Sequence, residues 1–254
     1  MLRRTDAAVQ AIGYAERALG ELSGMRVAMD ALAQARAGRV RLAATAAVMQ
    51  TLIPPALHGF ASAHPQVQVA VDEVAPADFV ETVLSGRVDF GVGTLETAVS
   101  GLREDILIRE PLVAAAVASK HFTGGTPMSW KQLAAYPLIT VRPGYGIRNR
   151  IEATAREAGA RLRIVHEVSL LRTAVAFAAH GVGVVVAPLS LVADEPRLVM
   201  RKLVRPTVER ITAVVSKRER SLEPAAQAFV DLLRQCAAAS PKTSDALQPR
   251  RGAQ

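Results

Sequence analysis

The chain contains one cysteine and few aromatic residues, and these two shortages exclude several kinds of protein. Cys236 is the single cysteine of 254 residues, so no disulfide can form within the chain and no paired-cysteine metal site is available. This usage is typical of a reducing compartment. Aromatic residues make up 4% of the sequence and do not alternate with basic clusters, which argues against a surface that stacks the bases of single-stranded nucleic acid.

Long apolar segments are also missing. No run of about 18 uncharged apolar residues, the length needed to cross a bilayer, occurs in the sequence. Residues 1–20 include Arg3, Arg4 and Arg17 and no apolar stretch of the secretory type. We therefore expect a cytoplasmic protein that does not contact a membrane. Most of the net charge of +8 is explained by an ordinary solvated surface rich in arginine.

Motifs that carry catalysis or bind cofactors do not occur. The sequence has no GxSxG, GxxxxGKS/T or HExxH motif, and "GYGIRN" at 144–149 is not the dinucleotide-binding GxGxxG. The histidines are scattered, and the adjacent pair His166 and Glu167 would point to opposite faces of a strand. The sequence therefore predicts no enzyme, no cofactor and no metal site.

A long helix is the first feature that the sequence does contain. Residues 5–37 are rich in alanine, lack proline and have strong helix propensity. Apolar or small side chains recur at the three- and four-residue spacing of a packed helix: Ile12, Ala15, Leu19, Leu22, Met29 and Ala33. Its interior glycines, including Gly20 and Gly24, each weaken a helix by about 1 kcal/mol relative to alanine. The helix therefore needs a partner, either a second copy of the chain or the body of this one.

The remainder alternates strands and helices in two similar passes. The first pass has strands at 39–44, 67–73 and 87–93, and its first helix should kink or restart at the tandem Pro54-Pro55. The second pass has strands at 137–141, 163–168 and 182–188, each separated by a helix. This order predicts two α/β lobes, each built on a parallel sheet.

Two further elements follow the second pass. The strand "VERITAVVSK" and the helix "EPAAQAFVDLLRQCAAA" can return to complete the first lobe. The last residues have no periodicity and are predicted to be disordered.

Three strand-to-helix turns are candidates for ligand binding, because open α/β sheets bind ligands at the carboxyl ends of parallel strands. They lie at 42–48, 140–149 and 166–173. The first N–H groups of a helix are free to bind an anion there, and Thr45, Arg148 and Ser169 could contribute. Ordinary helix capping by Thr45 and Ser169, and a surface position for Arg148, explain the same residues without a ligand.

The ordered series of segments resembles the effector-binding part of LysR-type transcriptional regulators. The resemblance covers about residues 5–236, and the segments that carry it are "GRVRLAATAAVMQTLIPPALHGFASAHPQVQVAVDE", "VLSGRVDFGVG", "LAAYPLITVRPGYGIRNRIE", "AAHGVGVVVAP" and "RPTVERITAVVSKRERSLEPAAQAFVDLL". It implies an α/β fold like that of type 2 periplasmic binding proteins. In that fold a linker helix precedes two Rossmann-like lobes, which crossover strands join near 119–121 and 210–214.

The same resemblance implies a division of the chain into four parts. We expect a linker or dimerisation helix at 1–37, lobe I at 38–119 plus 212–238, lobe II at 120–211, and a disordered tail at 239–254. The linker helix implies a homo-oligomer, either a dimer or a tetramer. The family contacts DNA through an N-terminal winged helix-turn-helix, which this sequence lacks, so DNA binding is expected only through that missing domain.

The resemblance also implies a small-molecule effector bound in the cleft between the lobes. The residues that it places there are Thr45, Ala46, Gly93, Thr94, Pro143, Tyr145, Arg148, Ser169 and Leu170. The expected function is a regulatory domain that senses a small anionic metabolite and controls transcription. A solute-binding protein, or a stand-alone binding module of the same fold, remains the alternative.

Overall fold

The computed structural model describes residues 6–34 and 37–239 of the chain. The predicted tail at 239–254 lies outside the described residues except for Ala239, which is the last residue of a helix. Helix α1 (Asp6–Ala33) comes first, in agreement with the predicted helix. Large apolar side chains along it are exposed, among them Leu19, Leu22 and Met25. The helix therefore presents an apolar surface that the body of the chain does not cover.

Lobe I begins with alternating strands and helices, as the sequence predicts. Its elements are β1 (Gly38–Thr45), α2 (Ala46–Thr51), α3 (Ile53–Ala63), β2 (Val67–Val74), α4 (Pro76–Leu84) and β3 (Phe90–Gly93). The break between α2 and α3 confirms the effect expected of the tandem prolines. Proline is tolerated in the first turn of α3 because its missing N–H would have no acceptor within the helix.

Lobe II is built in the same way after the long strand β4 (Leu102–Val117). Its elements are β5 (Met128–Ser129), α5 (Trp130–Leu133), β6 (Pro137–Val141), α6 (Gly146–Glu157), β7 (Arg163–Val168), α7 (Leu171–Ala179), β8 (Val184–Pro188), α8 (Leu189–Val192) and β9 (Leu198–Val204). The chain then forms β10 (Glu209–Lys217) and α9 (Pro224–Ala239).

The strands form one large mixed sheet in the order β2-β1-β3-β10-β4-β8-β6-β7. Strands β1, β2 and β3 are parallel in lobe I, and β6, β7 and β8 are parallel in lobe II. Strands β4 and β10 are antiparallel to each other and lie between these two groups. Helix α9 packs on lobe I, where Phe229 contacts the rings of Phe60 and Phe90. The fold is therefore mixed α/β, as predicted.

The strand β4 passes from one lobe to the other at a different position from the expected crossover. Its residues up to Pro111 pair with β10, and its residues from Leu112 pair with β8 and β9. The pairing changes there because β10 begins at Glu209, which lies opposite Pro111. Residues 112–117, expected in lobe I, thus pair within lobe II, before the crossover expected at 119–121. The sequence patterns also predicted no strand at 102–117 and missed β5, α8 and β9.

None of the helices in the described ranges, 6–34 and 37–239, is both long enough and apolar enough to cross a membrane. Within those same ranges no cluster of three or more histidine, cysteine, aspartate or glutamate side chains could hold a metal ion.

Candidate ligand-binding cleft

A cavity of about 390 Å³ lies where the strand ends of the two lobes face each other. It is lined by the turns that follow β1, β2 and β3 in lobe I and β6 and β7 in lobe II, together with the start of β10. Five of these turns follow the carboxyl ends of parallel strands, the position at which open α/β sheets bind ligands. This volume suits a small metabolite rather than a macromolecule.

The structure brings six of the nine expected site residues to this cavity. They are Thr45, Ala46, Thr94, Tyr145, Ser169 and Leu170. Gly93, Pro143 and Arg148 do not line it. The turns predicted from the sequence therefore converge, although their side chains contribute unequally.

The hydroxyl groups of Thr45 and Ser169 are not used for helix capping. Thr45 occupies the N-cap position of α2 but makes no side-chain cap hydrogen bond. The N-cap of α7 is Leu170, one residue later than the position expected for Ser169. Neither hydroxyl has a hydrogen-bond partner among residues 6–34 and 37–239, so both remain available to a ligand.

Backbone N–H groups at the start of α6 and α7 add donors to the cavity wall. The N-cap residues Tyr145 and Leu170 supply no side-chain cap, and neither helix has an acidic residue in its first turn. The positive end of each helix dipole therefore faces the cavity without local compensation from its own helix.

The position of Thr94 is determined by the strand β10. Its hydroxyl donates a hydrogen bond of 2.8 Å to the carbonyl oxygen of Ile211. The oxygen of that hydroxyl can still accept a hydrogen bond from a ligand.

Gly93 has a packing role in place of the expected contact with a ligand. A Cβ atom at this position would lie 2.9 Å from the ring of Phe79, closer than side-chain atoms approach each other. The ring is buried against the end of β3, and only glycine leaves room for it. Pro143 is an exposed turn residue that does not reach the cavity.

Arg148 is buried behind the wall of the cleft, and this corrects its expected role as a cation that faces the ligand. Its Nη1 donates to the carbonyl oxygen of Val141 and to Glu167 Oε1, both at 2.9 Å. Its Nε donates to Glu152 Oε1 at 2.8 Å. Through Nε and Nη1 the guanidinium thus joins α6 to β6 and β7, and it supports the turn between them.

Three charged residues that were not predicted line the cavity: Glu73, Glu96 and Arg210. Arg210 is paired with Glu110 at 2.9 Å, so its charge is compensated before any ligand binds. Glu96 could have been found from the sequence, because it follows the carboxyl end of β3. Arg210 carried no such local signal, since it reaches the cleft only through the return of β10.

A second cavity of about 480 Å³ is lined by parts of α2, β4, α8, β10 and α9. Arg210 borders both cavities. Of the turns after parallel strands, only the one after β8 borders the second cavity, against five at the smaller cavity, so the smaller cavity is the better candidate for the ligand site.

Comparisons with known proteins agree with this fold. The family model described as the LysR substrate binding domain matches residues 33–238. The chain is 27% identical over 231 residues to YfeR of Shigella flexneri, an uncharacterized HTH-type transcriptional regulator, and the match covers 91% of this chain and 75% of YfeR.

Two solved structures have the same fold. The regulatory domain of CcmR from Synechocystis PCC6803, in complex with 2-PG, matches with a TM-score of 0.72 at 19% identity over 80% of this chain and 99% of that one. The effector binding domain of QuiR, in complex with shikimate, matches with a TM-score of 0.68 at 15% identity over the same shares.

Proposed function

The chain belongs to the LysR-type transcriptional regulators and contains their effector-binding domain, and we propose that it senses a small anionic metabolite in the cleft between its lobes. The observation that carries this proposal is the convergence of five strand-end turns on one small cavity. The first N–H groups of α6 and α7, which have no acceptor within their own helices, provide donors for the anionic group. The hydroxyls of Thr45, Tyr145 and Ser169 provide further polar contacts.

Binding in this cleft would control transcription through a DNA-binding domain of the winged helix-turn-helix type. A ligand that prefers one separation of the lobes shifts the population of lobe arrangements, and an attached DNA-binding domain responds to that shift. The exposed apolar residues of α1 support assembly with a second copy of the chain, because such a surface is covered in stable proteins. We place this activity in the cytoplasm, where a transcription factor meets DNA.

Binding rather than catalysis is the function that the cleft supports. Its lining residues include no histidine, cysteine or lysine. The titratable groups of the described lining besides arginine are the carboxylates of Glu73 and Glu96 and the phenol of Tyr145, and the relative named above is a regulator.

The proposal is tested by a screen of metabolite acids for thermal stabilisation, followed by calorimetry on the compounds that stabilise the protein. We expect Ser169→Ala and Tyr145→Phe, which each remove one hydroxyl from the cavity wall, to weaken binding about 5- to 10-fold, as the loss of one hydrogen bond does. Ser190→Ala is the matched control, because Ser190 lines only the second cavity. Loss of affinity in Ser190→Ala, with both cleft variants unchanged, would overturn the proposal.

A further inference from the structure

The carboxylate of Glu96 contacts the opposite lobe at the beginning of α6. Glu96 lies in the loop after β3 of lobe I, and a Cβ atom added to Gly146 would overlap this carboxylate. One carboxylate oxygen therefore lies against the first residue of α6. The other, Oε2, is 4.0 Å from Arg150 Nη2 on the same helix. Glu96 thus forms a contact across the cleft.

The environment at the start of α6 explains why a carboxylate is stable there. The helix has 12 residues, no side-chain cap at Tyr145 and no acidic residue in its first turn. A negative charge is favourable at such an end because the N–H groups and the helix dipole are uncompensated. Arg150 adds a positive charge, and its Nη1 is held by the carbonyl oxygen of Glu209 at 2.9 Å. Glu96 supplies from lobe I the anion that α6 lacks.

We infer that Glu96 is an internal competitor for the anionic group of the effector and keeps the lobes together when no effector is bound. This inference rests on the proposed function, since it assigns the start of α6 to the ligand anion. The ligand must displace the Glu96 carboxylate, so its apparent affinity is lowered by the fraction of protein in which that carboxylate is in place. Glu96 therefore sets the minimum intrinsic affinity that an anionic effector needs in order to bind at a given concentration.

Glycine at position 146 gives a second way to disturb the contact. Gly146 has an ordinary helical backbone, since it is not among the glycines with positive φ, so alanine fits there without backbone strain. The methyl group of Gly146→Ala would push the Glu96 carboxylate away without a change in charge. Glu96→Gln removes the charge and keeps the size. The two variants act on the same contact by different physical means.

The first experiment measures the separation of the lobes without any ligand. Spin labels are attached at the exposed positions Glu81 on α4 and Arg156 on α6, in a Cys236→Ser background, and the distance is measured by pulsed electron resonance. We expect Glu96→Gln and Gly146→Ala to shift the distribution towards longer distances. Glu104→Gln, an exposed carboxylate on β4 outside the cavity, is the control and should match the unmodified protein. Identical distributions in all four proteins would overturn the inference.

The second experiment uses acetate as the probe anion, at constant ionic strength in chloride. The amide signals of Gly146 and Ile147 are followed by nuclear magnetic resonance during the titration. We expect Glu96→Gln to lower the acetate concentration at half-saturation about two- to fivefold, the size of a charge effect at a helix end. An unchanged midpoint would overturn the inference. The distance measurement needs no effector. A metabolite screen without a hit would therefore count against the proposed function alone, whereas unchanged lobe distances would count against the role of Glu96.

Discussion

The guanidinium of Arg210 and the carboxylate of Glu110 form an ion pair of 2.9 Å between the two strands that join the lobes. The two residues face each other in the register of β10 and β4, and their side chains are only 12% and 7% exposed. The second carboxylate oxygen of Glu110 accepts a hydrogen bond of 2.9 Å from the backbone N–H of Ser190 at the start of α8. This pair therefore ties both connecting strands to lobe II.

Removal of one member of this pair should destabilise the protein strongly. Glu110→Ala leaves the Arg210 charge buried without its partner. We expect the free energy of unfolding to fall by about 3 kcal/mol, which is the lower end of the range for broken buried pairs. The lower end applies because the cleft admits solvent. The double variant Glu110→Leu with Arg210→Met should recover more than half of that loss. Urea denaturation followed by circular dichroism measures both. Equal loss in the single and double variants would contradict this account.

A pair on the surface provides the control for this experiment. Arg197 donates hydrogen bonds to the carboxylate of Glu195. These bonds are the main reason why the pKa of the Glu195 carboxyl is lowered. Both groups are solvated, and exposed pairs contribute little. Arg197→Met should therefore leave the urea midpoint unchanged within error.

Substitution of Arg148 should affect the stability of lobe II. Arg148→Ala removes the donors that hold the carbonyl oxygen of Val141 and the carboxylates of Glu152 and Glu167, and we expect a loss of about 1.5–3 kcal/mol. Arg148→Lys should recover less than half, because an ammonium cannot reproduce the planar arrangement of the guanidinium donors. The free energy of unfolding is measured in urea. Full recovery by lysine would show that charge alone matters at this site.

The glycine at the end of β3 should not tolerate alanine. In Gly93→Ala the new methyl group meets the buried ring of Phe79, and overpacking of this kind costs about 1–3 kcal/mol. Gly93→Ala combined with Phe79→Leu should be more stable than Gly93→Ala alone. The control is Gly24→Ala in α1, where no described atom outside the neighbouring turns of the helix backbone lies within 4 Å of the added Cβ. That variant should not lower the midpoint of thermal unfolding, because alanine favours the helix.

The single tryptophan should report on lobe II. Trp130 is fully buried, and its Nε1 donates a hydrogen bond of 2.9 Å to the carbonyl oxygen of Pro206. Native fluorescence should therefore be blue-shifted and should move to longer wavelength when lobe II unfolds. Trp130→Phe should cost about 1–3 kcal/mol, because it leaves a polar group unsatisfied, as measured by circular dichroism. An unchanged stability would contradict the assigned role of this hydrogen bond.

The candidate site was predictable where it depended on local sequence. Thr45, Tyr145 and Ser169 belong to turns between a recognisable strand and a recognisable helix, and such turns meet at one sheet edge in a parallel arrangement. Arg148 belongs to the same class of turn, yet its side chain points to Val141, Glu152 and Glu167. Sequence position places the residue near the cleft, but the direction of a long side chain depends on which acceptors surround it.

The sequence by itself determined most of the elements of the two lobes and their order, because hydrophobic periodicity, proline and glycine act locally on the backbone. It therefore predicted two α/β lobes, the break before α3 and the turns at the strand ends. Only the tertiary structure decided which charges meet in the cleft. The contact of Glu96 with Gly146 and the pairing of Arg210 with Glu110 each join residues far apart in the chain. Their distances depend on how β4 and β10 connect the lobes, and no local pattern encodes that.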